Sequence, residues 1–184
     1  MAFGAVDFDG VDDYVNATDI DVTTAFTISV WMKSDVIPGA GVWEGLVTKT
    51  AGSPADGDYF LELIGDEIDV GFHNVSTFKL DTTSANLVAG QWYHIAGVFS
   101  DSANTFEIYV NGASSISGAQ TNSMVTNNQT VKIGGGYSGE NFDGLIDDVR
   151  FYNRALSASE IEVIAKGRLK YDSLTTPGNG LVGY

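Results

Sequence analysis

The sequence contains no cysteine. Disulfides, thiolate metal centres and cysteine nucleophiles are therefore excluded, while the compartment stays open, since exported proteins also manage without disulfides. Basic residues are scarce too: nine Lys and Arg stand against 24 Asp and Glu, giving a formal net charge of −15. A surface of that sign repels phosphate backbones and anionic headgroups, so neither nucleic acid nor a membrane surface is an expected partner. No apolar run approaches the ~18 residues of a spanning helix, so membrane insertion is not expected. The opening Met1-Ala2-Phe3-Gly4 has neither a basic nor an apolar stretch, and no signal-peptide pattern is visible in it.

What the chain does have is a core. Of its 184 residues 43% are apolar, including 10 Phe, 8 Tyr and 3 Trp, enough for one packed interior. Glycine occurs 22 times and proline three times, a mix that suits short strands joined by tight turns. Strand-like runs are Phe26 to Lys33, Tyr59 to Ile64, Ile68 to Phe72, Trp92 to Phe99, Thr105 to Val110 and Leu145 to Tyr152. In Thr105 to Val110 the apolar Phe106, Ile108 and Val110 alternate with Thr105, Glu107 and Tyr109, which predicts a strand with one wetter face. Asn111-Gly112 follows at once, the pair best suited to a type I′ hairpin turn. Gly65-Asp66 and Gly134-Gly135-Gly136 read as further turns.

One helix is predicted. Ser157 is placed to cap it, Glu160 completes a capping box, Ile161, Ile164 and Ala165 form its apolar stripe, and Gly167 is the expected stop. Spaced strands with a single terminal helix indicate two antiparallel sheets packed face to face. The expected domain is 1–167, with 168–184 as a weakly patterned tail.

Four segments, in order, carry a resemblance. They are Val6-Asp7-Phe8-Asp9-Gly10-Val11-Asp12-Asp13-Tyr14-Val15, then Phe26 to Trp31, then Gly90 to Ala96 with Ile108 to Gly112, and last Phe142 to Ser157. Together they resemble the laminin G-like jelly roll of the concanavalin A-like lectin and glucanase superfamily. The resemblance implies an all-β, two-sheet antiparallel jelly roll with one short C-terminal helix. Trp31, Trp92, Val98 and Phe106 are then expected in the core, His94 in a hydrogen-bonded structural position, and Arg150 facing out beside an acid. Family members often open with a segment like Gly-Leu-Val-Gly-Tyr-Trp; here Gly180-Leu181-Val182-Gly183-Tyr184 closes the chain. It reads either as the start of a further repeat or as an ordinary tail.

Asp7, Asp9, Asp12 and Asp13 crowd the start, and Asp143, Asp147 and Asp148 the last strand. Facing carboxylates suit Ca²⁺, which takes hard oxygens; equally, they can cap turns. The resemblance carries a structural Ca²⁺ ligand role to Asp147, with Asp9 opposite and carbonyls of Gly10 or Gly45 completing the shell.

Retaining glucanases of the superfamily carry Glu-x-Asp-x-x-Glu on one strand. Glu67 and Asp69 match, Phe72 stands in place of the third acid, and Glu62 reads as too far back in register to substitute. His73 and His94 lack zinc spacing, and no Ser sits in a Gly-x-Ser-x-Gly elbow. The remaining reading is non-catalytic recognition of an extracellular carbohydrate or a surface protein. Trp43 is its first aromatic platform, Tyr137 with neighbouring Asn141 the second and Tyr59 the third; each also fits a loop anchor folded onto the sandwich. The competing reading is a spacer or decoration domain without a glycan ligand. Either reading implies part of a larger protein, at a cell surface, on a virion or secreted.

Overall fold

The computed structural model describes residues 4–74, 76–81 and 84–175. Within them the order is β1 (Val6–Asp9), β2 (Val15–Asn16), β3 (Ala25–Ser34), β4 (Trp43–Lys49), β5 (Tyr59–Ile64), β6 (Glu67–Asn74), β7 (Ser76–Asp81), β8 (Tyr93–Ser100), β9 (Thr105–Val110), β10 (Ala113–Ala119), β11 (Val131–Ile133), β12 (Asp143–Tyr152) and α1 (Ala158–Thr175). The strands form two antiparallel sheets. The helix-side sheet runs β1-β12-β3-β8-β9-β10 and the flap-side sheet β2-β11-β4-β5-β6-β7. The first and last strands meet as neighbours, with Val6 opposite Ile146 and Asp9 opposite Asp143.

Strand alternation decides what each sheet buries. In β3, Phe26, Ile28, Val30 and Met32 enter the core between the sheets, where Leu61, Leu63, Val70 and Phe72 meet them from the flap-side sheet. Thr27, Ser29 and Trp31 take the opposite face, yet they are buried as well. This face is covered in its turn: the Leu156 amide, just ahead of α1, donates to Thr27 Oγ1, and Leu156 with Ile161 of α1 lies over Ala96, Val98 and Tyr109 in a second apolar cluster, while Trp31 packs beside His94. Trp31 and Val98 therefore belong outside the inter-sheet core, contrary to expectation. Tyr109 is likewise dry rather than wet: its ring lies under the helix and its hydroxyl donates to Glu107. Trp92 sits just ahead of β8 and is only partly buried.

Local signals hold where they are strongest. Asn111 and Gly112 have φ of 52° and 81° and join β9 to β10, as a type I′ turn requires. The capping box forms, with the Ser157 amide donating to Glu160 Oε2 at 2.9 Å. The Glu160 amide donates back to Ser157 Oγ at 3.4 Å. Gly167 does not end the helix, which runs on to Thr175. An interior glycine costs a helix only about 1 kcal/mol relative to alanine, and Arg168-Leu169-Lys170 beyond it are good helix formers. The tail boundary expected at 168 thus falls inside α1, and Gly180–Tyr184 lies outside the described residues.

Candidate functional site

Strands β4, β5 and β6 present one face to the core and the other outward. The two-residue turn Gly65-Asp66 sets the register, placing Ile64 opposite Glu67 and Glu62 opposite Asp69. On β4, Trp43 pairs with Ile64 and Gly45 with Glu62. Because Leu61 and Leu63 point into the core, the alternate positions share the outer face. Reading across, that face carries Trp43, Ile64 and Glu67, then Gly45, Glu62 and Asp69, then Thr48, Phe60 and Gly71, and at the far end Asp58 and His73. Glu62 is 3% exposed, Asp69 and Asp58 are fully buried, and Phe60 is buried with them. Glu62 is therefore not out of register: the hairpin sets it directly beside Asp69.

A glycine-rich flap, residues 134–141, lies over this face at β4, its tip reaching His73. Gly134 passes beneath Phe8 so closely that a Cβ there would lie 2.3 Å from the ring. Gly45 permits the flap to lie on β4, since its own Cβ would meet the Gly135–Gly136 backbone at 2.6 Å. Thr48 Oγ1 donates to Gly135 O at 2.6 Å, and the Gly45 amide donates to Glu140 O at 3.0 Å. At the tip, the Tyr137 amide donates to Glu140 Oε2 at 2.8 Å. The Tyr137 ring meets His73 edge-on at 5.7 Å, and His73 stacks at 5.7 Å on Phe60.

Burial dominates the electrostatics beneath the flap. It pushes the Tyr137 phenol well above its ordinary range, helped by the negative charges of Asp58, Glu62 and Glu140. Burial also raises the Asp58 carboxyl, against hydrogen bonds from Asn127 and the Ala55 amide. It lowers the His73 imidazole despite Asp58 and Asp56 nearby. The Tyr137 hydroxyl is inaccessible and has no hydrogen-bond partner among the described residues.

The aromatic candidates separate. Trp43 is not in a loop but opens β4, partly exposed on the outer face. Tyr137 is turned inward as the flap's tip rather than outward as a platform. Tyr59 is 1% exposed in the inter-sheet core, its hydroxyl donating to Ile20 O at 3.0 Å. Asn141 Nδ2 donates to Val11 O at 2.5 Å, tying the flap to the N-terminal loop.

The expected calcium ligands do not converge. Asp9 and Gly10 lie beside Asp143, whose Cβ is 2.9 Å from where a Gly10 Cβ would be. Asp147 is four residues further along β12, about 13 Å away at the strand rise, opposite Trp31 and accepting the Asp148 amide at 2.7 Å. Gly45 is on the other sheet, under the flap. Residues set on opposite outer faces of a sandwich cannot share one shell, so these four do not fit a single Ca²⁺. Asp9, Asp12 and Asp13 do bring carboxylates within 4.8 Å of one another, all exposed.

Phe72, in the place of a third catalytic acid, is fully buried in the inter-sheet core. Glu44 and His94 are buried as well, apart from the face. Glu44, 9% exposed at the end of the sandwich, has its carboxyl raised to about 7 by burial and by Asp143, whose amide partly offsets this. His94, beside Trp31 at 5.5 Å, has neither ring nitrogen hydrogen-bonded among the described residues, contrary to expectation. Burial lowers it to about 4. Arg150 is exposed and pairs with Asp148 through two bonds of 2.7 and 2.8 Å, as expected.

These features place the molecule among two-sheet jelly rolls with one outer face closed by a flap and the other by a helix. The chain belongs to the concanavalin A-like lectin/glucanases superfamily, whose laminin G-like family model matches residues 9–162. Among solved structures it is similar to domain 4 of AbnA, an extracellular arabinanase of Geobacillus stearothermophilus, in complex with arabinotriose. There the identity is 20%, the TM-score 0.70, and coverage 90% of this chain and 78% of that one. It is also similar to the CBM40 module of a Ruminococcus gnavus sialidase bound to α2,3-sialyllactose, at 14% identity, TM-score 0.68, and 88% and 96% coverage. A pentraxin of Limulus polyphemus matches at 16% identity and TM-score 0.62, over 88% and 81% of the two chains. No curated protein matches the chain. Among the described residues no helix is long and apolar enough to cross a membrane.

Proposed function

We propose that this chain is a non-catalytic recognition module for extracellular carbohydrate, carried in a larger protein, and that it binds on the outer face of the flap-side sheet. The observation that carries this reading is the partly exposed indole of Trp43 on the same face as the partly exposed carboxylate of Glu67, the two flanking Ile64 across the sheet. A sugar presents apolar C–H faces that stack on an aromatic plane, and hydroxyls that donate strong hydrogen bonds to carboxylates. The carbohydrate-bound states of the arabinanase domain and of the CBM40 module support the same use of the fold. The acids on this face and the net charge of −15 favour a neutral glycan over a sialylated one, because an anionic ligand meets repulsion there.

A glycan array holding neutral and sialylated members tests the reading, with the wild type beside Trp43→Ala. Binding to neutral glycans is expected, weakened at least about tenfold by the substitution while circular dichroism stays unchanged. An array without hits would leave a spacer or protein-binding role, and affinity undisturbed by Trp43→Ala would remove the site from this face. Release of reducing ends from a bound glycan would contradict the non-catalytic assignment.

A further inference from the structure

Away from the flap, three loops meet at one end of the sandwich around a single buried cation. Lys49, the last residue of β4, is 1% exposed, and lysine is seldom buried unless paired. Its Nζ lies 2.6 Å from Asp19 Oδ1 and 2.5 Å from Asp21 Oδ1. It also reaches the carbonyls of Asn127 at 3.0 Å and Ile20 at 3.5 Å. An ammonium has three protons to donate, yet four oxygens surround it. The set is two carboxylates and two main-chain carbonyls, the hard donors that Ca²⁺ takes.

The Ile20 carbonyl and the Asn127 loop are held independently of the lysine. Tyr59 Oη donates to Ile20 O at 3.0 Å. Asn127 Nδ2 donates to Asp58 Oδ1 at 2.7 Å and to Asp56 O at 2.9 Å. Gly57 lets the two loops touch, since a Cβ there would lie 2.7 Å from the Thr126 carbonyl carbon. Charge also balances differently for the two cations: against two carboxylates one ammonium leaves a net negative charge, whereas a divalent ion leaves none.

We infer that Asp19, Asp21, Ile20 O and Asn127 O form a divalent-cation seat that this chain fills with its own Lys49 ammonium. The tethered cation does what a metal would do, pinning the loop before β3 and the loop before β11 to the end of β4. This end of the sandwich therefore keeps its shape in the presence of a chelator. Removing the ammonium opens the seat to Ca²⁺.

The test compares the wild type with Lys49→Ala and with Lys49→Ala/Asp21→Asn by thermal melts in EDTA and in ~10 mM CaCl₂. Terbium luminescence sensitised by the adjacent Tyr59 gives a second readout. With an affinity of about 10⁻⁴–10⁻³ M, as in other shallow oxygen sites, calcium should raise the Tm of Lys49→Ala by about 3–10 °C beyond any wild-type response. Terbium emission should be stronger in Lys49→Ala than in the wild type, and the added Asp21→Asn should return both effects to the wild-type level. A Lys49→Ala chain that folds only with calcium also supports the seat. The inference is overturned if calcium and terbium act on Lys49→Ala no more than on the wild type. It is equally overturned if the response survives Asp21→Asn, or if the variant stays unfolded even in calcium.

Discussion

On the helix-side sheet, Ala96, Val98 and Tyr109 vanish beneath Leu156 and Ile161, so apolar surface is covered by apolar surface. On the flap-side sheet, Asp58, Glu62 and Asp69 are no more exposed, but there a glycine loop lies over β4 and is held by hydrogen bonds to main chain and side chains. The first closure gains free energy directly from area removed from water. The second leaves the Asp58 carboxyl raised by burial, against the hydrogen bonds that it accepts from Asn127 and the Ala55 amide. On the function proposed above, the contrast separates a face that holds the fold together from one kept for recognition.

The largest expected effect breaks the helix side. Ile161→Ala should lower stability by about 2–4 kcal/mol in urea unfolding and leave glycan affinity unchanged. If it weakens binding as Trp43→Ala does, the two faces are not functionally distinct.

The next two effects use buried titrations of opposite sign. His94 has a folded value of about 4 against an ordinary 6.5, so its contribution is complete above pH 6.5 and is lost as pH falls through 4. That is worth about 3 kcal/mol, and His94→Gln should flatten the acid limb of a stability–pH curve. Glu44 has a folded value of about 7 against 4.5, so its contribution is complete below pH 4.5 and is lost as pH rises through 7. Glu44→Gln should therefore gain up to about 2–3 kcal/mol at pH 8 and nothing at pH 4. A curve insensitive to both substitutions would show that water reaches these sites.

The smallest effect is at the flap tip. Tyr137→Phe deletes a buried hydroxyl without a hydrogen-bond partner among the described residues, and should change stability by less than about 1 kcal/mol, in the stabilising direction. A clear loss would mean that the hydroxyl has a partner in solution.

Much of the fold is legible in the sequence because local chemistry and tertiary packing agree there. Six strand-like runs became β3, β5, β6, β8, β9 and β12, since each combines β-branched or aromatic residues with a turn signal behind it. Around Trp43 the glycines Gly39, Gly41 and Gly45 suggest a loop; Gly45 is in fact a strand residue that makes room for the flap. The places of Trp31 and Val98 are not legible because alternation names two faces without saying which is the core; Val98 is covered by Leu156 and Ile161, and Trp31 packs beside His94. Glu62 beside Asp69 was within reach, because a two-residue turn at Gly65-Asp66 fixes the hairpin register. The Lys49 seat was not, since it joins residues far apart in the chain through three loops.

Hydrogen exchange of the wild type, alone and saturated with the neutral glycan that the array selects, tests the division of faces most directly. Slowed exchange in Trp43–Lys49, Tyr59–Asn74 and the flap 134–141, with Ala158–Thr175 unchanged, is the predicted result. Protection concentrated on Ala158–Thr175, with those strands and the flap unaffected, would contradict it.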